Sequence, residues 1–516
     1  MSSSSSENPD IGGLSIDDGI LERVNFTELL PPELMFKIFG YLYEGDLIRC
    51  ALVSRKFWAI ANHQILWKSL YQEVFEYSLP LLHVSHAQFE FREPHESIVV
   101  NPWKESFMQL ALQLVEARGE NAEKLIFLHT GLYILETTVM INSDIQIIGA
   151  SAGPDIASQV IIERRRTTTV VLAKGSQGAY LGWMTVRFAP DAEAVDAAIA
   201  AGNPPMQTYH FALQICGDST ALVEHCVIHS SATDGAAIYV HGSDANPKMR
   251  HCVICDCKSA GIYVTDAAQG QFEDCEITRN NDAGVWVADR ANPFFRRCHI
   301  HDGLSGGIFT FEHGMGYFES CNIHNNRFFG IEVKSAANPT VTLCEVHHGQ
   351  SCGVCVHTEA GVLIESHSDP KITRNKIWGN QKCGIAVRNN GQGVLEENEV
   401  FDNAMSGIWI MIDGNPTLRR NKIYDGRGKG VYIFNKGRGI LEDNDIYRNA
   451  QAGVLIESDI TQTSGHAAGI VITNGAMATL ESNIIFHNRS GGLCLAAGVQ
   501  PTLRNNKIYD NDSALQ

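Results

Sequence analysis

The stretch that decides the fold reads GIYV at Gly261–Val264, GVWV at Gly284–Val287 and GIFT at Gly307–Thr310, then GIEV from Gly330 and GVCV from Gly353. Each glycine stands 23 residues after the last, and the beat returns at Gly384, Gly407, Gly430 and Gly453, and between Gly469 and Gly492. A unit this short cannot fold alone. It buries its apolar side only by stacking on its neighbours, which is the logic of a solenoid. Each period holds three short β-branched runs separated by turns, too short for helix pairs. The predicted fold is mainly β: a right-handed parallel β-helix in which each strand pairs with its equivalent one coil away, at about 4.8 Å.

Columns of like position support stacking. Cys252, Cys275, Cys298, Cys321 and Cys344 fall 23 apart, and further along the same slot holds Asn375, Asn398, Asn421, Asn444, Asn483 and Asn506. A position shared by Cys and Asn reads as an inward ladder, because free Cys packs as a small hydrophobe and buried Asn must find hydrogen bonds. Two residues earlier the chain reads Arg250, Glu273, Arg296, Glu319, Thr342, Thr373, Glu396, Arg419, Glu442, Glu481 and Arg504, a column of opposite charges in adjacent coils. His229, His301, His324 and His347 share a slot with Trp378, Phe401, Tyr424 and Tyr447, which predicts a ladder of packed rings.

Two places break the beat. Gly353 to Gly361 is 8 residues and Gly453 to Gly469 is 16. Eight residues reach at most about 28 Å, too little to circle such a coil, so local irregularity is expected around 353–366 and 453–469, from a bulged-out segment, a slipped coil or a transcript variant lacking part of a repeat. Residues 124–149 alternate apolar and polar and fit the opening turns. The stretch WKESFMQLALQLVEARG (103–119) has helical spacing and is expected to cap the open end of the solenoid. Residues 187–207, rich in Ala, Asp, Gly and Pro, read as an extruded loop.

Forty basic against 58 acidic residues give a formal charge of −18, which disfavours nucleic acid and anionic membrane as partners. No apolar stretch is long enough to span a bilayer, and the N-terminus lacks the regions of a secretory signal. Cytoplasmic or nuclear residence is the expectation. Of the 14 cysteines, only Cys255-Asp256-Cys257 resembles a metal fragment. It lacks a second matched pair, so reduced, packed thiols and no metal are expected.

Residues 26–75 differ in character. Leu30-Pro31-Pro32-Glu33-Leu34 starts an amphipathic helix, with proline suited to the first turn and Leu34, Ile38, Tyr41 and Leu42 on one face. Gly45-Asp46 ends it, Asp46 caps a second short helix through Val53, and Ser54-Arg55 opens a third that ends near Trp67 and Leu70. Three short helices make a marginal core, which suggests a module stabilised by docking to a partner.

The LPxEL opening, Ile38, Leu42, Asp46-Leu47, the run from Val53 to Phe57, and Trp67 followed by Leu70 resemble an F-box. The resemblance implies binding to the Skp adaptor of a Skp–cullin–F-box ubiquitin ligase. Leu30, Pro31, Pro32, Glu33, Leu34, Ile38 and Leu42 are then the candidate adaptor-binding residues. Together with the solenoid, the chain resembles the F-box-only proteins whose β-helix repeats are of the carbohydrate-binding and sugar-hydrolase (CASH, PbH1) type, closest to those numbered ten and eleven. Stretches such as NPTLRRNKIYDG and GILEDNDIYRNAQAGV carry that likeness. The two short intervals depart from it.

The chain thus divides into a tail (1–25), an F-box module of three helices (26–75), a helical linker and cap (76–123) and a β-helix (124–512). β-Helices include sugar hydrolases, which need paired carboxylates converging on one groove. Asp256, Asp302, Asp402, Asp425 and Asp510 instead recur at one turn position, as turn geometry demands. A non-catalytic, cofactor-free substrate receptor is the expected function, with the β-helix holding a protein target for ubiquitination and proteasomal degradation. The alternative is a glycan-binding, lectin-like module in which Trp286 or Trp409 stacks on sugar. Arg164-Arg165-Arg166 is a possible anion contact or a solvated loop cluster. Neither the substrate nor the β-helix face that binds it can be read from the sequence.

Overall fold

The computed structural model describes residues 31–42, 44–51, 53–75, 81–85, 88–91, 101, 103–104, 125–150, 155–190, 209–357, 368–456, 477–492 and 501–512. Two compact units result, Met1–Leu112 and Gln113–Gln516.

Among the described residues the first unit contains four helices: α1 Pro32–Phe39, α2 Glu44–Ala51, α3 Arg55–Ala61 and α4 Gln64–Phe75. The predicted third helix is therefore two. The break falls at Asn62, whose side-chain amide donates to the Trp58 carbonyl at 2.8 Å and competes with the continuing helical ladder. The third helix opens at Ser54-Arg55 as expected, and Ser54 caps it, accepting from Phe57 N–H at 3.1 Å. Asp46 does not cap α2, which begins at Glu44; its carboxylate meets Arg49 at 3.2 Å instead. Met35, Phe39, Leu47, Ile60, Leu66, Trp67, Leu70 and Tyr71 form the core. Trp67 donates Nε1–H to the Ala61 carbonyl at 2.7 Å.

Where a helical linker was expected, β1 Leu81–Ser85 and β2 Gln88–Phe91 form an antiparallel pair. Trp103, the first residue of the expected cap, is buried against Tyr71 of α4, ring centroids 5.6 Å apart. The rest of that stretch, 105–119, lies outside the described residues.

The second unit is the parallel β-helix. Its strands form three sheets, called I, II and III in the order each coil visits them, with 15, 15 and 13 strands among the described residues. Sheet I runs from Leu125–His129 to Thr502–Arg504, sheet II from Gly131–Ile134 to Lys507–Tyr509, and sheet III from Val139–Ile141 to Val454–Ile456. Every pairing is parallel and in register, as in Ile262↔Val285 and Val285↔Ile308. Inward residues such as Ile262, Val285, Ile308 and Ile331 are fully buried, and Phe272, Phe295 and Phe318 stack at 4.4 and 5.2 Å inside sheet I.

The repeat glycine has a steric cause. A Cβ on Gly430 would lie 2.5 Å from the Gly453 carbonyl oxygen and 2.6 Å from Ile446 Cγ2, so only glycine lets adjacent coils close at this corner. The Cys/Asn ladder forms as read. Asn398 Nδ2 donates to the Ile372 carbonyl at 2.8 Å and to Asn421 Oδ1 at 3.0 Å. The cysteines occupy the same geometry with a weaker donor: Cys344 Sγ reaches the Phe318 carbonyl at 3.5 Å.

The irregularity expected at the two short intervals is present, and the register of the flanking strands shows its form. Val354 pairs with Ile385, 31 residues on, and Asp445 with Ile484, 39 residues on. The extra 8 and 16 residues lengthen two coils, and Gly361 and Gly469 do not open the described ones. Residues 358–367 and 457–476 lie outside the described residues, as do 191–207 of the loop expected at 187–207, whose first two residues instead close the strand Thr185–Phe188.

Candidate functional site

The predicted adaptor-binding residues separate by face. Leu30 lies outside the described residues. Pro31, Pro32 and Glu33 are exposed, Leu34 is 49% and Ile38 51% exposed, and Leu42 is half-buried. The core face of α1 carries Met35 and Phe39, which the sequence reading missed; it assigned one apolar face where the helix has two. Leu34 and Ile38, at i and i+4, lie on a face beside the core face, and Tyr41 follows in the turn after the helix. Val53, Trp58 and Ile65 are further large apolar side chains left exposed in this unit. An apolar helix face left in water is a docking surface for another protein or a liability.

On the β-helix, the recurring aspartates are bound into its frame. Asp256 is paired with Arg279 at 2.7 Å, Asp425 with Arg448 at 2.7 Å and Asp402 with Arg427 at 3.5 Å, while Asp302 meets its neighbour His301 at 2.8 Å. Asp256, Asp302, Asp402, Asp425 and Asp510 all have φ between 46° and 55°, the left-handed turn that Asp tolerates. Hydrogen bonds from Arg279, His301 and Arg448 hold the carboxyls of Asp256, Asp302 and Asp425 below the usual range, opposite to what a general acid needs. The charge column of sheet I forms too: Arg250–Glu273 at 3.3 Å, Arg296–Glu319 at 3.5 Å and Arg419–Glu442 at 2.8 Å.

The ring column on sheet II is continuous from His301 to Tyr509. Successive centroids lie 4.7 Å apart at His301–His324, 5.1 Å at His324–His347, 4.3 Å at His347–Trp378 and 5.1 Å at Tyr424–Tyr447. His229 belongs to the slot but not to the stack, since Cys255 and Thr278 intervene. Among the described residues no group of three or more His, Cys, Asp or Glu is placed to hold a metal. Cys255 and Cys257 are buried free thiols, and burial pushes both up to about 12.

The arginine run is largely engaged internally. Arg164 is buried and donates to the Leu135 carbonyl, and Arg165 pairs with Glu163 at 2.7 Å. Trp286 and Trp409 are half-buried on the outer face of sheet III, each with a covered Nε1–H that has no hydrogen-bond partner. Trp286 packs edge-on against Tyr263 at 5.6 Å. Trp409 lines a shallow cleft of about 250 Å³ with Met405, Ser406, Arg427, Lys429 and Tyr432.

Comparison with known proteins agrees with this anatomy. The family described as "Right handed beta helix region" matches residues 206–314, 236–361 and 360–465, together half of the chain, and the "F-box-like" family matches 27–73. The F-box protein dre-1 of Caenorhabditis elegans is 40% identical over half of this chain, and the match takes in 30% of its length. A probable E3 ubiquitin ligase complex SCF subunit, sconB of Penicillium rubens, is 35% identical over 13% of this chain and 10% of its own. Among solved structures, the periplasmic alginate epimerase AlgG covers 78% of this chain and 88% of its own at 11% identity, with a TM-score of 0.38. A GH87 alpha-1,3-glucanase catalytic domain covers 77% and 66% at 10% identity, with a TM-score of 0.37. The chain belongs to the right-handed β-helix family and carries an F-box, which relates it to the F-box subunits of SCF ubiquitin ligases.

Proposed function

We propose that this chain is the substrate-binding subunit of a Skp–cullin–F-box E3 ubiquitin ligase, of the kind represented by the β-helix F-box-only proteins ten and eleven. The F-box binds the Skp adaptor, and the β-helix holds a protein target for ubiquitination and proteasomal degradation. The observation that carries the reading is the second apolar face of α1, where Leu34 and Ile38, with Tyr41 in the turn just after the helix, stand exposed beside a core face already satisfied by Met35 and Phe39. Pro31, Pro32, Glu33 and Leu42 flank that face, and Leu30 precedes it in the chain. In this role the chain supplies no nucleophile or acid, only proximity and orientation. The neutralised aspartates of the β-helix turns fit a structural frame better than an active site. Such a ligase works in the cytoplasm or nucleus.

The test is co-purification from cells of the wild-type chain beside a Leu34→Ala, Ile38→Ala variant. Wild-type protein should bring down the Skp adaptor and cullin, and the variant should lose both while its circular dichroism is unchanged. Wild-type protein that recovers neither component would sink the reading.

A further inference from the structure

Many carboxylates of the solenoid are matched with arginine on a neighbouring coil, as in Arg279–Asp256, Arg297–Asp274 and Arg448–Asp425. At one corner, three successive coils in a row carry carboxylates that are not so matched. Asp266, Asp289 and Glu312 occupy the same turn position in three successive coils just after the sheet III strands, all exposed. The backbone ties their rungs together, Ala267 N–H to Asp289 O at 2.8 Å and Asp289 N–H to Glu312 O at 2.9 Å. Among the described residues, none of the three is ion-paired with lysine or arginine. Asp266 has His241 at 4.0 Å, and Asp289 accepts from Thr265 Oγ1 at 2.8 Å. Arg290 and His313 follow two of them in the chain and temper the local charge without cancelling it.

Beside this corner runs a stripe of rings. The outward positions of sheet III are in register as Tyr239, Tyr263, Trp286 and Phe309, with Phe311 stacked 4.6 Å from Phe309. All five are half-buried, so each offers an edge or face to solvent while held in place by its neighbours. The stripe stops at the next coil, where Glu332 takes the outward position. At that end the chain shows what such a surface receives: Lys334 Nζ lies 4.8 Å over the ring of Phe309.

Aromatic faces attract cations through the ring quadrupole, and lysine or arginine stems lie flat along apolar surface while the head reaches a carboxylate. We infer that the outer face of sheet III from Tyr239 to Glu312 is a docking surface for an extended, lysine- or arginine-bearing segment of a protein partner. The cationic side chains lie across the rings and end at Asp266, Asp289 and Glu312. The identification of that partner as a target for ubiquitination rests on the receptor reading above; the surface itself does not.

The probe is a fluorescein-labelled octapeptide of alternating lysine and glycine, titrated into the full chain and read by polarisation. The Asp289→Asn, Glu312→Gln variant should bind it roughly five- to tenfold more weakly, while Asp443→Asn, Asp512→Asn, the same charge change at remote turns, should bind as wild type. Trp286→Leu, checked for an unchanged melting temperature, should weaken it comparably. Equal weakening by both charge pairs would reduce the effect to net charge and overturn the inference. So would absence of saturable binding, or equal binding by a glutamate–glycine peptide or by neutral maltohexaose. Capture of the Skp adaptor is measured on the same variants. Failure of the ligase reading and failure of this surface are therefore separate results.

Discussion

Asn398 and Asn421, 23 residues apart in the chain, are joined Nδ2 to Oδ1 at 3.0 Å, and the same Oδ1 accepts the Asn398 backbone N–H at 3.0 Å. Asn421 in turn donates to the Leu395 carbonyl at 2.7 Å and to Asn444 Oδ1 at 3.0 Å. One side chain therefore satisfies buried groups on both neighbouring coils. Asn421→Leu fills the space but strands the Asn398 donors and the Leu395 carbonyl, and each buried unsatisfied group costs about 1–3 kcal/mol. The expected loss is about 3–5 kcal/mol in urea unfolding. Hydrogen exchange should rise first at Asn398 and Asn444. Asn421→Cys should lose about half as much, because Cys344 makes the equivalent donation to Phe318 with Sγ.

Gly430→Ala tests the closeness of the coils. The new methyl would stand 2.5 Å from a backbone oxygen and 2.6 Å from Ile446 Cγ2, and neither is the end of a flexible side chain. Relief requires the coils to part, breaking neighbouring rungs such as Val431 N–H to Gly453 O at 2.9 Å. A loss above about 3 kcal/mol, or failure to accumulate as soluble protein, is expected. Gly303→Ala, whose Cβ would press on the Asn326 Oδ1 side-chain atom at 2.9 Å but meet backbone oxygens only at 3.7 and 3.8 Å, should cost less.

Most of the solenoid was legible in the sequence because its evidence is repeated. One Cys among apolar residues says little, but five at equal spacing followed by asparagines define an inward column. The two lengthened coils showed as irregularities whose cause the spacing left open. GVLI at Gly361 copies the strand motif, and spacing alone cannot tell a second copy from the next rung. A second ladder, including Asn380→Asn403 and Asn449→Asn488 at 3.0 and 3.2 Å, went unread because glycine interrupts its period at Gly303, Gly349 and Gly426. In the F-box the repeat offers no help. With apolar residues at 34, 35, 38 and 39, periodicity does not distinguish the face buried in the chain's own core from the face left outside. Only tertiary packing decides, as where the ring of Phe39 meets that of Phe57 on α3 edge-on at 5.2 Å.

That division of α1 makes a prediction about stability. Met35 and Phe39 are nearly inaccessible, whereas Leu34 and Ile38 are half-exposed. Met35→Ala should destabilise the F-box unit by about 2–5 kcal/mol, a large share of what so small a module has. Ile38→Ala should cost about 1 kcal/mol or less in the free protein. Thermal unfolding of the two variants beside wild type separates the faces. Similar losses would mean that Ile38 belongs to the core.

The histidine stack adds a pH dependence with a defined sign. His347 lies between His324 and Trp378, with His348 beside it and Glu345 and Asn322 nearby on sheet II. Burial, then the adjacent His324 and His348, lower its pKa to about 4, and burial with His301 lowers that of His324. Asp302 and Glu345 act in the opposite direction and do not reverse either shift. A folded-state pKa below the unfolded value of about 6.5 means that the unfolded chain binds more protons between those limits. The contribution of these residues to stability is therefore complete above about pH 6.5 and falls as pH drops towards 4. His347→Phe continues the column as the aromatic rings from Trp378 onward already do, and removes one proton site. Its urea midpoint should fall less than wild type between pH 6.5 and 4.5, while the two proteins run parallel between pH 7 and 8. A wild-type profile as flat as that of the variant would show that His347 accepts its proton in place, without loss of the stack.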